Sequence, residues 1–503
     1  MKKSSQLFYI SILSMVISII ALSQFLSGCA VNPVTGKSEL MLVSEEKEFQ
    51  IGQGVDKEVR TEMGIYLELP ELRARLKTVV EKLGKNSDRP DLAFRAEIVD
   101  TPDFNAFAVP GGFVYVHRGL LEKINSEDEL ASVMAHEIAH VAARHSASQI
   151  SKNQVLNIGI LAASVATGGA VDNFGSLVNI GSVMAFSKFS RDDEREADHF
   201  GLKYMTKAGY NPGASIGVMK QIQNLETSKT ASLDVWFMSH PPTAERITNL
   251  NQEIQNLSAK DPGLLQRKDQ RNDFIPLLNG MAMGDWNGSE LVSGDRYYNK
   301  EFQLSIPVPQ GWQVAINNSN YTAVFYDEKQ ESFAYFDIKP LQKQKTSEAY
   351  FSELSNSLIQ KGLKKVSDSY ASKKLSNDAR AGMYQGTSGT DAVSAVLFAF
   401  TKNNNGYSIL GAGKKESFSK IQPIIEQISN NLKFLSQKEA NDIAPPRMKI
   451  HVVSAGDTWD KITVKYYKTS TDKKKLAEYN GMEPEQEPAA GMTLKIPPTL
   501  KVK

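Results

Sequence analysis

The 503-residue chain is poor in the residues that build covalent cross-links and cysteine metal sites. It has a single cysteine, Cys29, and seven histidines. Neither a disulfide framework nor a cysteine-ligated zinc site can therefore form within one chain. Charge is also nearly balanced: the formal net charge is +1, and it becomes −1 once a leader carrying Lys2 and Lys3 is removed. Nothing electrostatic thus points to nucleic acid as a partner.

The position of Cys29 predicts an export signal. Two lysines near the start precede the apolar residues 7–26, and the tetrapeptide Leu26-Ser27-Gly28-Cys29 ends this stretch. Such an order is typical of a secretory leader. The tetrapeptide resembles the lipobox of bacterial lipoproteins, which implies that residues 1–28 are a signal peptide and that Cys29 is lipidated. An uncleaved transmembrane helix is the alternative, because about 20 apolar residues can span a bilayer.

Lipidation would hold the protein at a membrane. Several acyl chains give a durable anchor, since each buried methylene contributes about 0.8 kcal/mol. Ala30, rather than an aspartate, follows the cysteine, and this resembles the outer-membrane sorting pattern of bacteria with two membranes. The expected location is the periplasmic face of a bacterial membrane, with the outer membrane favoured.

Composition divides the remaining chain into domains and linkers. Residues 258–272 are polar, residues 279–294 are rich in glycine, and Pro445-Pro446 marks a second break. The predicted segments are a tether at 29–44, a first domain at 45–257, a linker at 258–296, a second domain at 297–436, a linker at 437–447 and a C-terminal module at 448–498.

The most informative motif lies in the first domain, where residues 136–140 read His-Glu-x-x-His. Ser126 and Glu129 form a capping box, and apolar residues recur at helical spacing through the motif, so it is predicted to be helical. Residues four apart share one helix face, so the two histidines can present imidazole nitrogens to one metal ion with Glu137 beside it. This is the arrangement of a zinc peptidase.

A catalytic zinc ion of this kind has three protein ligands and a water molecule, so one ligand is left to assign. Glu194 is the candidate, because it begins Glu194-x-x-x-Asp198 on a predicted helix at 191–208. One carboxylate can then bind the metal while the other hydrogen-bonds a ligating imidazole. For Asp198 the alternative is an exposed salt bridge with Arg195 or Lys203. Nitrogen and oxygen ligands suit zinc but do not exclude manganese or cobalt.

Four motifs in the first domain resemble those of a known enzyme family. They are Phe107-Ala108-Val109-Pro110-Gly111-Gly112, His136-Glu137-x-x-His140, Ser190-Arg191-x-x-Glu194-x-x-x-Asp198-x-x-Gly201, and Ser239-His240-Pro241-Pro242 with Arg246. Their order resembles the zinc metallopeptidase family that includes the CaaX prenyl endopeptidase. The most similar branch is that of exported bacterial members related to the mitochondrial inner-membrane stress protease.

The resemblance implies one zinc ion per chain, bound by His136, His140 and Glu194. It also implies that Glu137 is the general base, which takes a proton from a metal-activated water molecule and returns it to the leaving amine. No serine or cysteine nucleophile is expected. Asp198 is expected to orient a ligating histidine.

The roles of two later residues stay open. His240 could stabilise the transition state, or it could occupy the water position as a fourth ligand and hold the enzyme latent. A loop histidine that only hydrogen-bonds the backbone is the structural alternative. Arg246 could bind a carbonyl oxygen or pair with an acidic residue.

Residues 105–116 are predicted to form two strands joined at a Pro-Gly-Gly turn. The first strand is expected to be an exposed edge that pairs with extended substrate, through Asn105, Ala106, Phe107 and Ala108. An ordinary edge strand without a ligand is the alternative.

The second domain combines short β-rich runs with two helices, which is the pattern of an α+β domain. None of the seven histidines lies in it. A packing or protein-contact module is therefore predicted. Its Pro-Gln-Gly-Trp segment and its last helix distantly resemble the thylakoid PsbP-like fold.

The C-terminal module resembles LysM, a βααβ fold that binds N-acetylglucosamine polymers. The matching residues are Gly456, Asp457, Thr458, Ile462, Asn480, Gly491, Leu494 and Ile496. Trp459 replaces the usual leucine. The resemblance implies that residues 448–498 bind peptidoglycan; a degenerate module that only packs or contacts protein is the alternative.

The predicted fold class is α+β: a mainly helical zincin-type metallopeptidase domain with a small edge-strand sheet, a second α+β domain and a βααβ module. The predicted function is that of a zinc endopeptidase of the bacterial cell envelope that degrades misfolded or misassembled envelope proteins. Two alternatives stay open. One is an assembly factor or chaperone-like scaffold with latent proteolysis, and the other is a peptidoglycan-directed hydrolase.

Overall fold

A computed structural model describes residues 29–154, 189–227, 240, 243–267, 270–284, 286, 290–316, 322–327, 329, 331–367, 379–388, 391–415 and 418–500. The predicted signal peptide, residues 1–28, lies outside the described residues. Within these ranges every helix is too short or too polar to cross a membrane. The chain divides into two compact units, unit 1 with Met1–Met281 and Met448–Lys503, and unit 2 with Ala282–Arg447.

The first part of unit 1 is mainly helical. Its helices are α1 (Glu45–Glu58, continued by a π-helical turn at Val59–Met63), α2 (Pro70–Lys85), α3 (Arg118–Lys123), α4 (Glu127–Ala142), α5 (Arg191–Lys207), α6 (Ala214–Thr227), α7 (Ala244–Lys260) and α8 (Arg271–Phe274), with 3₁₀ turns at Leu264–Gln266 and Ile275–Leu278. Strands β1 (Cys29–Val31) and β2 (Ser38–Leu40) pair with each other. A separate three-stranded sheet has the order β3-β5-β4, with β3 (Arg95–Val99), β4 (Ala106–Val109) and β5 (Phe113–His117).

Local sequence signals set where three of these helices begin. The side chains of Ser44, Ser126 and Ser190 each accept a hydrogen bond from the backbone N–H three residues further on, at the starts of α1, α4 and α5. These contacts satisfy N–H groups that a helix leaves without partners in its first turn. At α4 the carboxylate of Glu129 accepts from the N–H of Asn125 rather than from that of Ser126. The predicted capping box is therefore closed one residue earlier than expected.

The turn between β4 and β5 requires its two glycines. Gly111 and Gly112 have φ angles of 83° and 88°, in the left-handed region that side chains disfavour. A Cβ atom on Gly111 would also lie 2.7 Å from the Cα atom of Phe49 on α1. The turn is thus pressed against α1, which fixes the position of β4.

Unit 2 combines helices and antiparallel sheets. Its strands are β6 (Glu290–Ser293), β7 (Arg296–Asn299), β8 (Leu304–Pro307), β9 (Trp312–Ala315), β10 (Ala323–Asp327), β11 (Ser332–Pro340), β12 (Lys364–Ser367), β13 (Arg380–Ser388), β14 (Asp391–Lys402), β15 (Asn405–Lys414) and β16 (Lys433–Phe434), and its helices are α9 (Ser347–Gln360), α10 (Phe418–Asn431) and α11 (Gln437–Asn441). One sheet has the order β12-β13-β14-β15-β11-β10-β9, and the other has the order β16-β8-β7-β6.

The central strand β14 is apolar along its whole middle because both of its faces are buried. Val396 and Phe398 point into a core shared with Ile425 of α10. Leu397 points to the opposite side, into a core shared with Tyr350 of α9. Successive side chains of a strand alternate between faces, so the unbroken apolar run follows from helices packed on both sides.

The segments predicted as linkers, 258–296 and 437–447, are folded where the structure describes them. The first contains the end of α7, all of α8 and β6, and its Phe274 and Met281 are fully buried. The second contains α11, whose Ala440 packs in one cluster with Leu291. The polar composition of these segments did not indicate folded structure, because only a minority of their side chains are apolar. The buried ones among them pack in the core and hold the short helices and strands in place. Both segments therefore contain folded elements, and unit 2 begins before residue 297.

The C-terminal part of unit 1 is a βααβ module, formed by β17 (Lys449–Val452), α12 (Trp459–Tyr467), α13 (Lys473–Tyr479) and β18 (Thr493–Ile496). The two strands pair antiparallel. Trp459, which stands where leucine is usual, is fully buried, and its indole N–H donates to the backbone oxygen of Gln486 at 2.8 Å. The larger side chain is thus accommodated in the core with its polar atom satisfied.

This module packs against the first part of unit 1 through Lys495 on β18. The side chain is fully buried. Its Nζ atom donates to the backbone oxygens of Glu122 (2.7 Å), Lys123 (3.0 Å) and Ile124 (2.8 Å). The last carbonyl groups of a helix lack partners within it, and the Lys495 side chain supplies donors to them, so Lys495 caps the end of α3. Arg271 on α8 adds hydrogen bonds to two backbone oxygens of the module.

The Lys495→Met variant is expected to lower the free energy of unfolding of unit 1 by about 1–3 kcal/mol, because one buried and two partly buried carbonyl oxygens lose their donor. Urea denaturation, with hydrogen exchange at the amides of residues 118–130, measures the change. Lys474→Met is the matched control, since the Lys474 side chain is 71% exposed. Equal stability of the two variants would show that the contact of Lys495 with α3 contributes nothing.

Candidate active site

The His-Glu-x-x-His motif occupies the second half of α4, as predicted. Three apolar residues at helical spacing are fully buried and hold the helix against the core: Leu130, Met134 and Ile138. His136 and His140 lie on one face and are themselves buried, at 8% and 2% exposure, and Glu137 beside them is 1% exposed. The helix therefore places both histidines and Glu137 in an enclosed site and not at the surface.

Gly201 brings a second helix close to this motif. A Cβ atom at this position of α5 would lie only 3.0 Å from the backbone nitrogen of His136. Without a side chain there, the backbones of α4 and α5 can pack closely. Asp198 and Glu194 lie one and two turns earlier on α5, so both carboxylates reach the histidines of α4.

Four side chains meet in this site: His136, His140, Glu194 and His240. The Nε2 atom of His136 is 3.1 Å from that of His140 and 3.3 Å from Nδ1 of His240. Oε1 of Glu194 is 2.7 Å from Nδ1 of His240 and 3.4 Å from Nε2 of His140. No other cluster of this type occurs in the part of the chain that the structure describes.

These separations fit a zinc ion. Zinc binds nitrogen and oxygen donors at about 2.0–2.1 Å in a tetrahedron, whose corners are then about 3.3 Å apart. The observed donor separations scatter around this value. Two or three imidazoles and a carboxylate are also the donor types that zinc selects. The four residues can therefore hold one zinc ion.

His240 is placed by the start of α7. Thr243 caps this helix through its side chain, which accepts from the N–H of Arg246. His240, three residues before the cap, is 2% exposed and directs Nδ1 toward the other donors. The neighbouring residues 239, 241 and 242 of its motif lie outside the described residues. His240 thus lies with the other three donors in one group that could hold a metal ion, and it is not a loop histidine that only contacts backbone.

Asp198 and Arg246 form a buried pair behind the donors. Oδ1 of Asp198 is 3.1 Å from Nδ1 of His136, on the ring side opposite the donor atom. The guanidinium of Arg246 donates to both oxygens of Asp198, each at 2.7 Å, and its Nη1 is 2.8 Å from Oε2 of Glu194. The alternative of an exposed salt bridge for Asp198 is thus wrong. Arg246 pairs with acidic residues, which was one of the two roles predicted for it.

The charges around these carboxylates decide their ionisation. Burial would raise the pKa of Asp198, but the charge and hydrogen bonds of Arg246, with a smaller effect of His136, hold that pKa below its ordinary value. Burial would likewise raise the pKa of Glu194, but His240 and the other site histidines hold it well below its ordinary value. Both carboxyl groups are therefore anionic and suited to a cation.

Glu137 differs from its neighbours. Burial raises the pKa of its carboxyl above the ordinary value, although the charges of His240 and His136 oppose the shift. The backbone of Ala108 on β4 hydrogen-bonds this carboxylate, and Oε1 has no hydrogen-bond partner among the described residues. Glu137 therefore has a free acceptor atom inside the site, where it can exchange a proton.

The strand β4 lies beside Glu137 at the edge of the three-stranded sheet. It pairs with β5 on one side, and no further strand pairs with it among the described residues. Three of its four side chains are buried, with 0% exposure for Ala106 and 5% for Phe107, and that of Ala108 is half-buried. Phe107 stacks on Tyr115 with ring centroids 4.8 Å apart. The strand is thus an edge strand, but the expectation of an exposed one was wrong for its side chains.

His145 was missed by the sequence reasoning, which assigned it no role at the site. Its Nδ1 atom is 2.8 Å from Nδ1 of His140, and it is 4% exposed. A spacing of five residues does not place two side chains on one helix face. The contact depends on Arg144, whose φ angle of 60° ends α4 in the left-handed region. No periodic signal in the sequence could have shown this.

The remaining histidines stay outside the site. His117 is buried against Thr101, His199 pairs with Glu253 on the surface, and His451 contacts Asp457 and Tyr466 in the C-terminal module. Cys29, the predicted lipidation site, is the first residue of β1.

Comparisons with known proteins decide the family. The sequence profile described as Peptidase family M48 matches residues 70–254. The mitochondrial metalloendopeptidase OMA1 of Schizosaccharomyces pombe is 30% identical over 259 residues, which are 50% of this chain and 74% of the relative. The chain belongs to peptidase family M48. Like the metalloproteases of this family, it is a zinc metalloendopeptidase, and the LysM domain profile matches its residues 451–497.

Bacterial proteases are similar as well. The metalloprotease YcaL of Escherichia coli is 30% identical over 36% of this chain and 69% of the relative. The beta-barrel assembly-enhancing protease of Yersinia pestis is 27% identical over 43% of this chain and 46% of the relative. A solved structure of cyanobacterial PsbP from Synechocystis, 12% identical, covers 30% of this chain and 98% of that protein with a TM-score of only 0.23.

Proposed function

We propose that His136, His140 and Glu194 bind the catalytic zinc ion and that Glu137 is the general base. Zinc, when bound, supplies Lewis-acid activation of a water molecule and of the substrate carbonyl. The free acceptor atom of Glu137 takes a proton from the attacking water. The same carboxyl then returns that proton to the leaving amine. The chain itself forms no covalent intermediate.

We further propose that the enzyme works in the bacterial cell envelope and degrades misfolded or misassembled proteins there, as an exported relative of the CaaX prenyl endopeptidase type. The observation that carries this proposal is the position of β4, whose Ala108 contacts the general base. An edge strand offers backbone N–H and C=O groups to an added strand. A substrate bound in this way must be extended, so unfolded segments are favoured over folded ones.

The names of two relatives support the location and the role. The Y. pestis relative is named a beta-barrel assembly-enhancing protease, and so is an E. coli relative that is 24% identical over 51% of this chain. Bacterial membrane proteins of the β-barrel type belong to the outer membrane. We propose that Cys29 is lipidated and anchors the protein at the periplasmic face of the outer membrane, and that the LysM domain binds peptidoglycan.

We propose in addition that His240 holds the enzyme latent at rest. If His240 occupies the fourth corner of the zinc tetrahedron, the coordination position that the catalytic water molecule needs is filled. His240→Ala is expected to raise kcat on an unfolded substrate, by about tenfold if the open form is about a tenth of the resting population. Steady-state cleavage of unfolded casein measures the change.

The double variant His240→Ala/Glu137→Gln is the control, and it should cleave casein at least about 100-fold more slowly than His240→Ala. A loss of activity in His240→Ala alone would contradict latency and would assign His240 to transition-state stabilisation.

The proposed substrate class is tested with purified protein and three substrates: an unfolded outer-membrane protein, the same protein folded in detergent micelles, and peptidoglycan. Cleavage of the unfolded protein alone is expected, and Glu137→Gln should cleave it at least about 100-fold more slowly. Cleavage of peptidoglycan cross-links alone would favour a cell-wall hydrolase.

A second candidate function is a chaperone-like scaffold, which the presence of His240 in the metal-binding group favours. This function predicts that Glu137→Gln retains every cellular role of the protein.

A further inference from the structure

His145 is held in a fixed orientation although it lies outside the donor set. The chain turns at Arg144, which has a φ angle of 60°. The Arg144 guanidinium donates to Oε1 of Glu48 at 3.0 Å and to the backbone oxygen of Val43 at 2.7 Å. Both Arg144 and Glu48 are buried. Because Arg144 is fixed in both its backbone and its side chain, the next residue, His145, has little freedom.

The contact made by His145 is directed at the outer nitrogen of a proposed ligand. Nε2 of His140 faces the site, 3.1 Å from Nε2 of His136. Nδ1 of His140 points away from the other donors and meets Nδ1 of His145 at 2.8 Å. One face of the His140 ring is covered by Phe189, which stacks on it with centroids 4.1 Å apart.

Hydrogen-bond chemistry then fixes both tautomers. A neutral imidazole has one donor and one acceptor nitrogen. An imidazole that offers Nε2 to a metal carries its proton on Nδ1, so Nδ1 of His140 donates and Nδ1 of His145 accepts. His145 must then carry its own proton on Nε2. That atom lies 3.8 Å from a carboxylate oxygen of Glu196 and 3.9 Å from one of Asp193, both on α5.

The two carboxylates favour this arrangement. Nε2 of His145 has no hydrogen-bond partner among the described residues, so the negative charges of Glu196 and Asp193 are the groups that its N–H faces. Both residues flank Glu194 on α5. His145 therefore links the outer side of one proposed ligand to the helix that carries another.

We propose that His145 is a positioning residue, which accepts the Nδ1 proton of His140 and so holds the His140 ring in its metal-binding tautomer and orientation. Asp198 has the corresponding position at Nδ1 of His136. Partners of this kind raise the metal affinity of a site without touching the metal. The proposal rests on the zinc site described above and adds a residue outside the four motifs quoted from the sequence.

The test compares the zinc Kd of three variants by competition with a chelator. Asn places its Oδ1 atom on the same carbon branch as Nδ1 of histidine, whereas the polar atoms of Gln reach the place of Nε2. His145→Asn should therefore keep an acceptor for His140 and stay close to the wild-type Kd. His145→Gln and His145→Leu should raise the Kd by about 10–100-fold.

His199→Asn is the matched control, because the side chain of His199 on α5 is 55% exposed and pairs with Glu253 instead of a site residue. Its zinc Kd should not change. The absorption spectrum of the cobalt-substituted proteins gives a second readout, which should shift in His145→Gln and not in His145→Asn. If His145→Leu fails to fold, the Asn and Gln variants still decide the question.

Equal Kd values for His145→Asn and His145→Gln would overturn the proposal, and so would a folded His145→Leu variant with the wild-type Kd. Failure of the zinc site itself is distinguishable, since the wild-type protein would then bind no zinc at all.

Discussion

Replacing Glu137 with glutamine is expected to lower kcat for peptide cleavage by about 10²–10⁴-fold, because the general base is lost while the shape of the side chain is kept. The amide oxygen of glutamine can still accept the backbone hydrogen bond of Ala108. The donor set of the zinc site is untouched, so zinc content and thermal stability should match those of the wild type. Steady-state cleavage of unfolded casein, together with elemental analysis, measures both properties.

Glu245→Gln is the matched control for this variant. Glu245 is an exposed carboxylate on α7 that pairs with Arg195, and its replacement should leave kcat unchanged. Wild-type cleavage by a zinc-loaded Glu137→Gln protein would assign the proton transfer to another group.

Replacing Arg246 with methionine is expected to have the largest effect on stability. The side chain is 4% exposed and holds the carboxylates of Asp198 and Glu194. Removing it leaves two buried anions without their common cation, which should lower the free energy of unfolding of the metal-free protein by about 3–5 kcal/mol. Urea denaturation after EDTA treatment, with hydrogen exchange at the amides of α5, assigns the loss to unit 1.

Two further variants show whether the charge or the geometry of Arg246 is responsible for its contribution to stability. Arg246→Lys keeps the positive charge but cannot donate to both carboxylates in the same forked way, so its stability should be intermediate. Arg195→Met removes an exposed arginine from α5 and should leave the stability nearly unchanged, since exposed ion pairs contribute little. An Arg246→Met protein as stable as Arg195→Met would contradict the account of the buried pair.

The buried pair of Arg246 and Asp198 should also influence zinc binding, because Asp198 contacts His136. Without Arg246, burial would no longer be opposed by its charge, and the pKa of Asp198 would rise toward or above its ordinary value. A protonated Asp198 offers His136 a weaker acceptor. We therefore expect the zinc Kd of Arg246→Met to increase, in addition to the decrease in its stability.

Much of the site could be predicted from the sequence because its parts are helical and local. Four-residue spacing puts His136 and His140 on one face, and the same spacing joins Glu194 to Asp198. The serine caps at 126 and 190 locate the two helices to within a residue. Gly201 allows these two helices to pack closely. The glycine is part of a motif that resembles the family's, but helical periodicity alone would not have indicated this contact.

The other features depend on contacts between residues far apart in the chain. The position of His145 follows from the left-handed turn at Arg144, and that turn is held by Glu48, 96 residues away. The docking of the C-terminal module depends on Lys495, which reaches carbonyl groups more than 370 residues earlier. Composition predicted a linker at 258–296, whereas the Phe274 and Met281 side chains of that segment are buried. No local pattern encodes such contacts.

The zinc content of the native protein tests the central claim most directly. Elemental analysis should find one zinc ion per chain in the wild type and in Glu137→Gln, and none in the double variant His136→Ala/His140→Ala. EDTA should abolish casein cleavage by the wild type, and added zinc should restore it. Native protein without zinc that cleaves nothing after zinc is added, or full cleavage by the double variant, would contradict the account.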